Sequence, residues 1–127
     1  MFICLAFAQP SLADRLWATP AQVEGPYYPA VEPKEKDWNV LKTAQGNNEF
    51  ADGIPLQLEG KILDHNGVPV VGATIEIWQS DNNGIYKHPK APRTDRFDQS
   101  FQGFGAVETN SEGYYRFLTI MPASEQK

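Results

Sequence analysis

Leu56-Gln57-Leu58-Glu59-Gly60-Lys61-Ile62-Leu63, followed at once by Asp64-His65-Asn66-Gly67, is the stretch that decides the fold class. Leu56, Leu58 and Ile62 are apolar, whereas Gln57, Glu59 and Lys61 between them are polar. That period of two is the signature of a strand with one face buried. Asn66-Gly67 supplies a turn whose backbone needs positive φ, so the chain is expected to reverse there. Downstream, Ala73, Ile75 and Ile77 alternate with Thr74 and Glu76 in a second strand that runs to Trp78-Gln79, where Trp78 faces away from the two isoleucines. Asp81-Asn82-Asn83-Gly84 is a further turn cluster, and Tyr86 is expected at the end of this second hairpin arm.

Beyond it a loop from Lys87 to Asp98 leads into the glycine-punctuated run Phe101-Gln102-Gly103-Phe104-Gly105. Gly105 to Thr109 reads as a short strand, Asn110-Ser111-Glu112-Gly113 as a turn, and Tyr114 to Ile120 as an aromatic and β-branched strand. The expected fold is therefore all-β, an antiparallel β-sandwich. Four strands are few for a closed sandwich, so the sandwich is expected to be incomplete. Its uncovered inner face and open sheet edges are expected to invite aggregation or association with another chain.

Upstream of residue 55 the character changes. Residues 14–54 are polar and irregular, with Thr19-Pro20, Gly25-Pro26 and Tyr28-Pro29 forcing extended or turn backbone. Asp37 to Leu41 has the makings of a short helical turn. Trp17, Tyr27, Tyr28 and Trp38 would be out of place in free coil, so this zone reads as an arm wrapped over a folded body. Residues 1–13 form an apolar leader that is far shorter than the about 20 residues of a membrane span. The leader has the size of a signal-peptide core but lacks a preceding Lys or Arg, so export and a cytoplasmic location both stay open. The expected division is thus 1–13 leader, 14–54 arm and 55–127 sandwich.

Composition narrows the function. The 127 residues carry 11 Lys plus Arg against 16 Asp plus Glu, a net charge of −5. That balance excludes a nucleic-acid binder, which needs surplus cations to neutralise phosphates. Cys4 is the sole cysteine, which excludes an internal disulfide and a thiolate zinc site.

Several runs together resemble the intradiol ring-cleavage dioxygenases, the catechol and protocatechuate 3,4-dioxygenase-like non-haem iron(III) enzymes. Gln22-Val23-Glu24-Gly25-Pro26-Tyr27-Tyr28-Pro29 resembles the family's N-terminal arm. Gly72 to Gln79, continuing to Gly84-Ile85-Tyr86-Lys87-His88, resembles the segment carrying its first iron ligand. Phe101 to Gly105 and Thr109 to Ile120 resemble the strands that follow. The resemblance implies an Fe(III) cofactor held by two tyrosines and two histidines. It also implies a catechol-type substrate opened by O2 to a muconate-type diacid. A ferric ion is a hard acid that suits anionic oxygen and imidazole donors, and it can displace the proton of a tyrosine whose ordinary pKa is near 10.

By that resemblance Tyr86 stands at the first tyrosinate ligand, and Tyr27 and Tyr28 stand where the arm approaches the substrate pocket or staples itself to the sandwich. The family's second tyrosine and its His-x-His pair have no counterpart among these 127 residues, whose two histidines are His65 and His88. The chain alone is therefore expected to be inactive. His65 reads as turn surface and His88 as a loop residue. Lys87, Lys90, Arg93 and Arg96 form a locally basic loop that would attract an anionic aromatic substrate, while Ala106 stands where relatives carry a basic residue. A rival of another class is a non-catalytic accessory module of the carboxypeptidase-regulatory or transthyretin-like kind. Gly60 to Asp64, Asn66-Gly67, Val70 to Ala73 and Glu112 to Phe117 resemble such modules, but the arm and Tyr86 have no purpose in one.

Overall fold

The computed structural model describes residues 15–43 and 49–124, so the leader expected over residues 1–13 lies outside the described residues. The described residues are all-β, with strands β1 (Pro55–Lys61), β2 (Thr74–Trp78), β3 (Phe104–Glu108) and β4 (Tyr114–Ile120) and a 3-10 turn at Thr94–Arg96. No helix among the described residues is long and apolar enough to cross a membrane.

β1 and β2, the first two strands, do not pair with each other. β1 runs antiparallel to β4, with Leu58 opposite Phe117 and Gly60 opposite Tyr115. β2 runs antiparallel to β3, with Ile75 opposite Val107 and Ile77 opposite Gly105. The hairpin expected at Asn66-Gly67 is therefore only local. Gly67 takes φ +79°, the Asp64 carboxylate accepts the Asn66 and Val68 amides at 2.8 and 3.0 Å, and a single bridge joins Leu63 to Pro69. The ladder ends after Val70, which donates to the Ile62 carbonyl at 2.9 Å. Gly72 then turns at φ +74° and sends the chain to the second sheet, where the Ala73 amide meets the Thr109 hydroxyl at 2.9 Å.

Both sheets contribute to one core. Val40, Leu41, Ile85, Phe97, Phe101, Phe117 and Ile120 are buried in it, and Ile75, Ile77, Val107, Tyr115 and Leu118 pack against them. Burying such side chains is the main term that opposes chain entropy. Coverage is uneven: Leu58, cross-strand from the fully buried Phe117, keeps 38% of its surface in solvent.

The arm is part of this body. Asp37 to Leu41 is not helical but a run of bends and turns around a single bridge at Asn39, and the arm's backbone is stitched to both sheets. Val40 donates to Leu118 and Leu118 to Trp38, at 2.9 and 3.0 Å, and Ala106 donates to Lys36 at 2.8 Å. The cause is local as well as tertiary. The side chains of Asp37 and Asn39 accept the amides two residues ahead, at 2.9 and 3.2 Å, which competes with helical bonding. The edge groups of β3 and β4 then supply the remaining partners.

Candidate active site

β2 delivers the site. After Trp78 the chain leaves the sheet, and Ser80 and Asp81 are buried at 4% and 0% exposure. The Asp81 carboxylate accepts the Asn83 amide at 2.9 Å and the Ile85 amide at 3.0 Å with one oxygen, closing the turn. Its other oxygen accepts the Asp98 amide at 2.9 Å. Ile85 is then anchored in the core at 4% exposure, and Tyr86 follows it onto the wall of a cavity. Tyr86 thus sits after a tight turn within a loop rather than on a hairpin arm.

That cavity has a volume of about 650 Å³, and Tyr27, Trp78, Gln79, Tyr86, Lys87 and Gln102 are among its lining residues. Its size is in the range of sites for small molecules. Pro29, Val31, Lys34 and Glu35 of the arm also line it. Lys34 and Lys87 bring positive charge to the lining and Glu35 and Glu49 negative charge. Of the basic loop, Lys87 reaches the cavity and its ammonium also lies 5.9 Å from the Phe97 ring centroid.

The structure brings Tyr27 and Tyr86 together, with ring centroids 4.7 Å apart and planes tilted by 35°. Tyr27 also meets His88 at 5.7 Å. Tyr28, its neighbour in sequence, turns the other way. Its hydroxyl donates to Glu76 at 2.8 Å, and its ring stands edge-on to Trp78 at 4.9 Å. That hydrogen bond to a carboxylate, with some desolvation, raises the Tyr28 pKa above its ordinary value. Of the two roles open to the arm's tyrosines, Tyr27 has the cavity wall, and Tyr28 staples the arm to β2 through Glu76 and Trp78.

His88 is buried at 5% exposure and its Nδ1 accepts the Lys90 amide at 3.1 Å. An imidazole that accepts at Nδ1 carries its proton at Nε2 when neutral. His65 is exposed in the first turn, where its carbonyl accepts the Leu16 amide at 3.0 Å.

As a set of ligands for ferric iron these groups are incomplete. Tyr86 fits the chemistry as a hard oxygen donor on a cavity wall. No group of three or more His, Cys, Asp or Glu among the described residues is placed to hold a metal. With His65 exposed in the first turn, a set of two tyrosines and two histidines is not assembled among the described residues, and no reaction step through iron follows from them.

Three residues important to this geometry were not singled out from the sequence. In the sequence Asp81 reads only as part of a turn, Thr94 as loop, and Gln102 as part of a strand-leading run. Gln102 is 5% exposed, and its amide donates to the Phe104 carbonyl at 2.8 Å and to Asp37 at 3.4 Å. The spacing of Asp81 to Asn83 and Ile85 was the one available signal, because a side-chain oxygen that caps amides two and four residues ahead makes a tight turn.

The family model described as Dioxygenase matches residues 23–127. The protocatechuate 3,4-dioxygenase beta chain of Burkholderia cepacia is 35% identical over 99 residues, which are 78% of this chain and 42% of that one. Catechol 1,2-dioxygenase 1 of Acinetobacter lwoffii is 33% identical over 106 residues, 82% of this chain and 31% of that one. Among solved structures, catechol 1,2-dioxygenase of Acinetobacter sp. ADP1 superimposes with a TM-score of 0.60 at 32% identity, covering 83% of this chain and 32% of its own. The chain thus spans less than half the length of these relatives. The match takes in the arm, the Tyr86 loop and all four strands, and the chain belongs to the intradiol dioxygenase family.

Proposed function

We propose that these residues form the first half of an intradiol dioxygenase site, in which Tyr86 supplies a tyrosinate to Fe(III) and Tyr27 lies against the ring of a catechol-type substrate. The observation that carries the reading is the pairing of the Tyr86 and Tyr27 rings at 4.7 Å on the wall of one cavity. The iron, when bound, supplies the Lewis acidity that prepares a catechol for opening by O2 to a muconate-type diacid. Tyr86 contributes the oxygen donor. Tyr27 and Trp78 present apolar faces that exclude water from an aromatic ring, and Lys87 favours an anionic substrate. Tyr28 keeps the arm docked through Glu76 and Trp78, which holds its neighbour Tyr27 in place.

The test is a ferric titration of the 127-residue chain followed by visible absorption. A tyrosinate band is expected, and it is expected to vanish in Tyr86→Phe and to persist in Tyr27→Leu. Catechol and 3,4-dihydroxybenzoate with O2 are expected to show no oxygen uptake, because these residues alone hold too few ligands. No band in the unaltered chain, or a band indifferent to Tyr86→Phe, sinks the reading.

A further inference from the structure

We infer that Asp81, acting with Thr94, is a positioning residue that fixes Tyr86 on the cavity wall. The inference rests on Tyr86 being the site residue, as proposed above, but its geometry stands apart from any metal. Asp81 is 0% exposed, and its carboxylate oxygens accept from backbone amides of the described residues. One holds the Asn83 and Ile85 amides and the other the Asp98 amide, at 2.9–3.0 Å. The carboxylate thereby clamps the turn just before Tyr86 to a segment 17 residues away in sequence. Asp98 passes the tie outward, because its own carboxylate accepts the Ser100 amide at 2.9 Å and the Asp52 amide at 3.0 Å.

Tyr86 is then gripped on both sides. Before it, the Asp81 amide donates to the Ile85 carbonyl at 2.8 Å. After it, the Tyr86 carbonyl accepts the His88 amide at 2.9 Å and the Thr94 hydroxyl at 3.1 Å. Thr94 is presented by a 3-10 turn that opens at Arg93, the single non-glycine among the described residues with positive φ, at +56°. A non-glycine residue in that region costs energy that the surrounding contacts must offset. Partners of this kind hold the backbone from which the Tyr86 ring projects, and so set where its hydroxyl can reach without touching the reacting atoms.

An asparagine at position 81 separates the two ties. Its carbonyl oxygen still closes the turn, but its NH2 faces the Asp98 N–H and cannot accept from it. The test uses the 127-residue chain with ring-labelled tyrosine observed by NMR, with Tyr86→Phe assigning the Tyr86 signals. In Asp81→Asn and in the near-isosteric Thr94→Val, the Tyr86 ring signals are expected to leave the position set by the neighbouring Tyr27 ring. Those of Tyr114 and Tyr115 are expected to stay. In the same variants ferric affinity is expected to weaken roughly 10–100-fold. Thr94→Val, which empties no core position, decides the matter if Asp81→Asn fails to fold. Unmoved Tyr86 signals, or a uniform shift of all tyrosines in Thr94→Val, overturn the inference. Absence of a ferric band in the unaltered chain overturns the iron reading alone, because the ring signals report position without metal.

Discussion

Replacing Gly105 by alanine tests whether the arm is built into the fold. A Cβ at this position would stand 2.8 Å from Val40 Cγ2, 2.9 Å from the Asp37 carbonyl oxygen and 3.1 Å from Phe117 Cε1. Comfortable contacts lie near about 3.5–4.0 Å, so three neighbours are too close at once. Phe117 and Val40 are 0% and 1% exposed and have no room to retreat. The Asp37 oxygen is backbone, and it moves only if the arm moves. Lifting the arm outright would break the bonds of Lys36, Trp38 and Val40 to the two sheets, each worth about 0.5–1.5 kcal/mol net, and would expose Val40 and Leu41. Overpacking with a partial shift is the lower-cost response, at about 1–3 kcal/mol. The assay is urea unfolding, where the midpoint is expected to fall with the slope unchanged, together with faster tryptic cleavage at Lys36 and Lys42. Val40→Ala makes room for the new methyl group, so the double variant is expected to be less damaged than the sum of the singles by about 0.5–3 kcal/mol. A loss below about 0.5 kcal/mol, or strict additivity of the two changes, refutes the account of the arm.

Gly60→Ala is expected to cost less than Gly105→Ala in the same urea assay, although its Cβ would lie 2.6–2.9 Å from Tyr115. There the opposing atoms are the far end of a half-buried side chain that can swing; a larger loss than at Gly105 contradicts this. Gln102→Leu removes the donor from the Phe104 and Asp37 carbonyls and is expected to cost about 1–3 kcal/mol; an unchanged midpoint rules that role out. Stability is expected to fall at both ends of the pH range. The Tyr114 hydroxyl lowers the pKa of Glu59, and the Val68 and Asn66 amides lower that of Asp64. Their contributions are present above the ordinary values of 4.5 and 3.8 and are lost as pH drops through the lower folded values. Hydrogen bonds to Glu76 and Glu59 raise the pKa values of Tyr28 and Tyr114, so their contributions hold below 10.0 and fade as pH climbs past it. The joint variant Tyr28→Phe and Tyr114→Phe is expected to shrink the alkaline fall in a melting-temperature profile; an identical profile counts against those bonds.

The first two strands were legible in their period of two, and Tyr114–Ile120, read from its aromatic and β-branched residues, emerges with the same bounds. Their pairing was not legible. Asn66-Gly67 makes the turn that its residues demand, but a turn states only that the chain reverses, not that the next strand stays beside the last. Gly72 and the Thr109 hydroxyl decide that, and both act across distances that sequence spacing does not record. Asp37 to Leu41 fails for a related reason, because its helical appearance takes no account of the free edge groups of β3 and β4.

The candidate site divides along the same line. Tyr86 and the arm could be found because they resemble a family's runs of residues, and Tyr27 and Tyr28 could be nominated together but not told apart. Separating them needed the position of Glu76 and Trp78 on β2, which captures Tyr28 and leaves Tyr27 for the cavity. Asp81 is the sharper case. An Asp-Asn-Asn-Gly run reads as solvated turn, since polar residues of that kind favour exposed reversals. It becomes a buried clamp only because Asp98 returns to meet it, and Phe97 and Phe101 return with it into the core. The same aromatic burial that closes the sandwich therefore brings the second donor to Asp81. A change that loosens Phe97 or Phe101 is for that reason expected to disturb Tyr86 as well, through the Asp81 carboxylate.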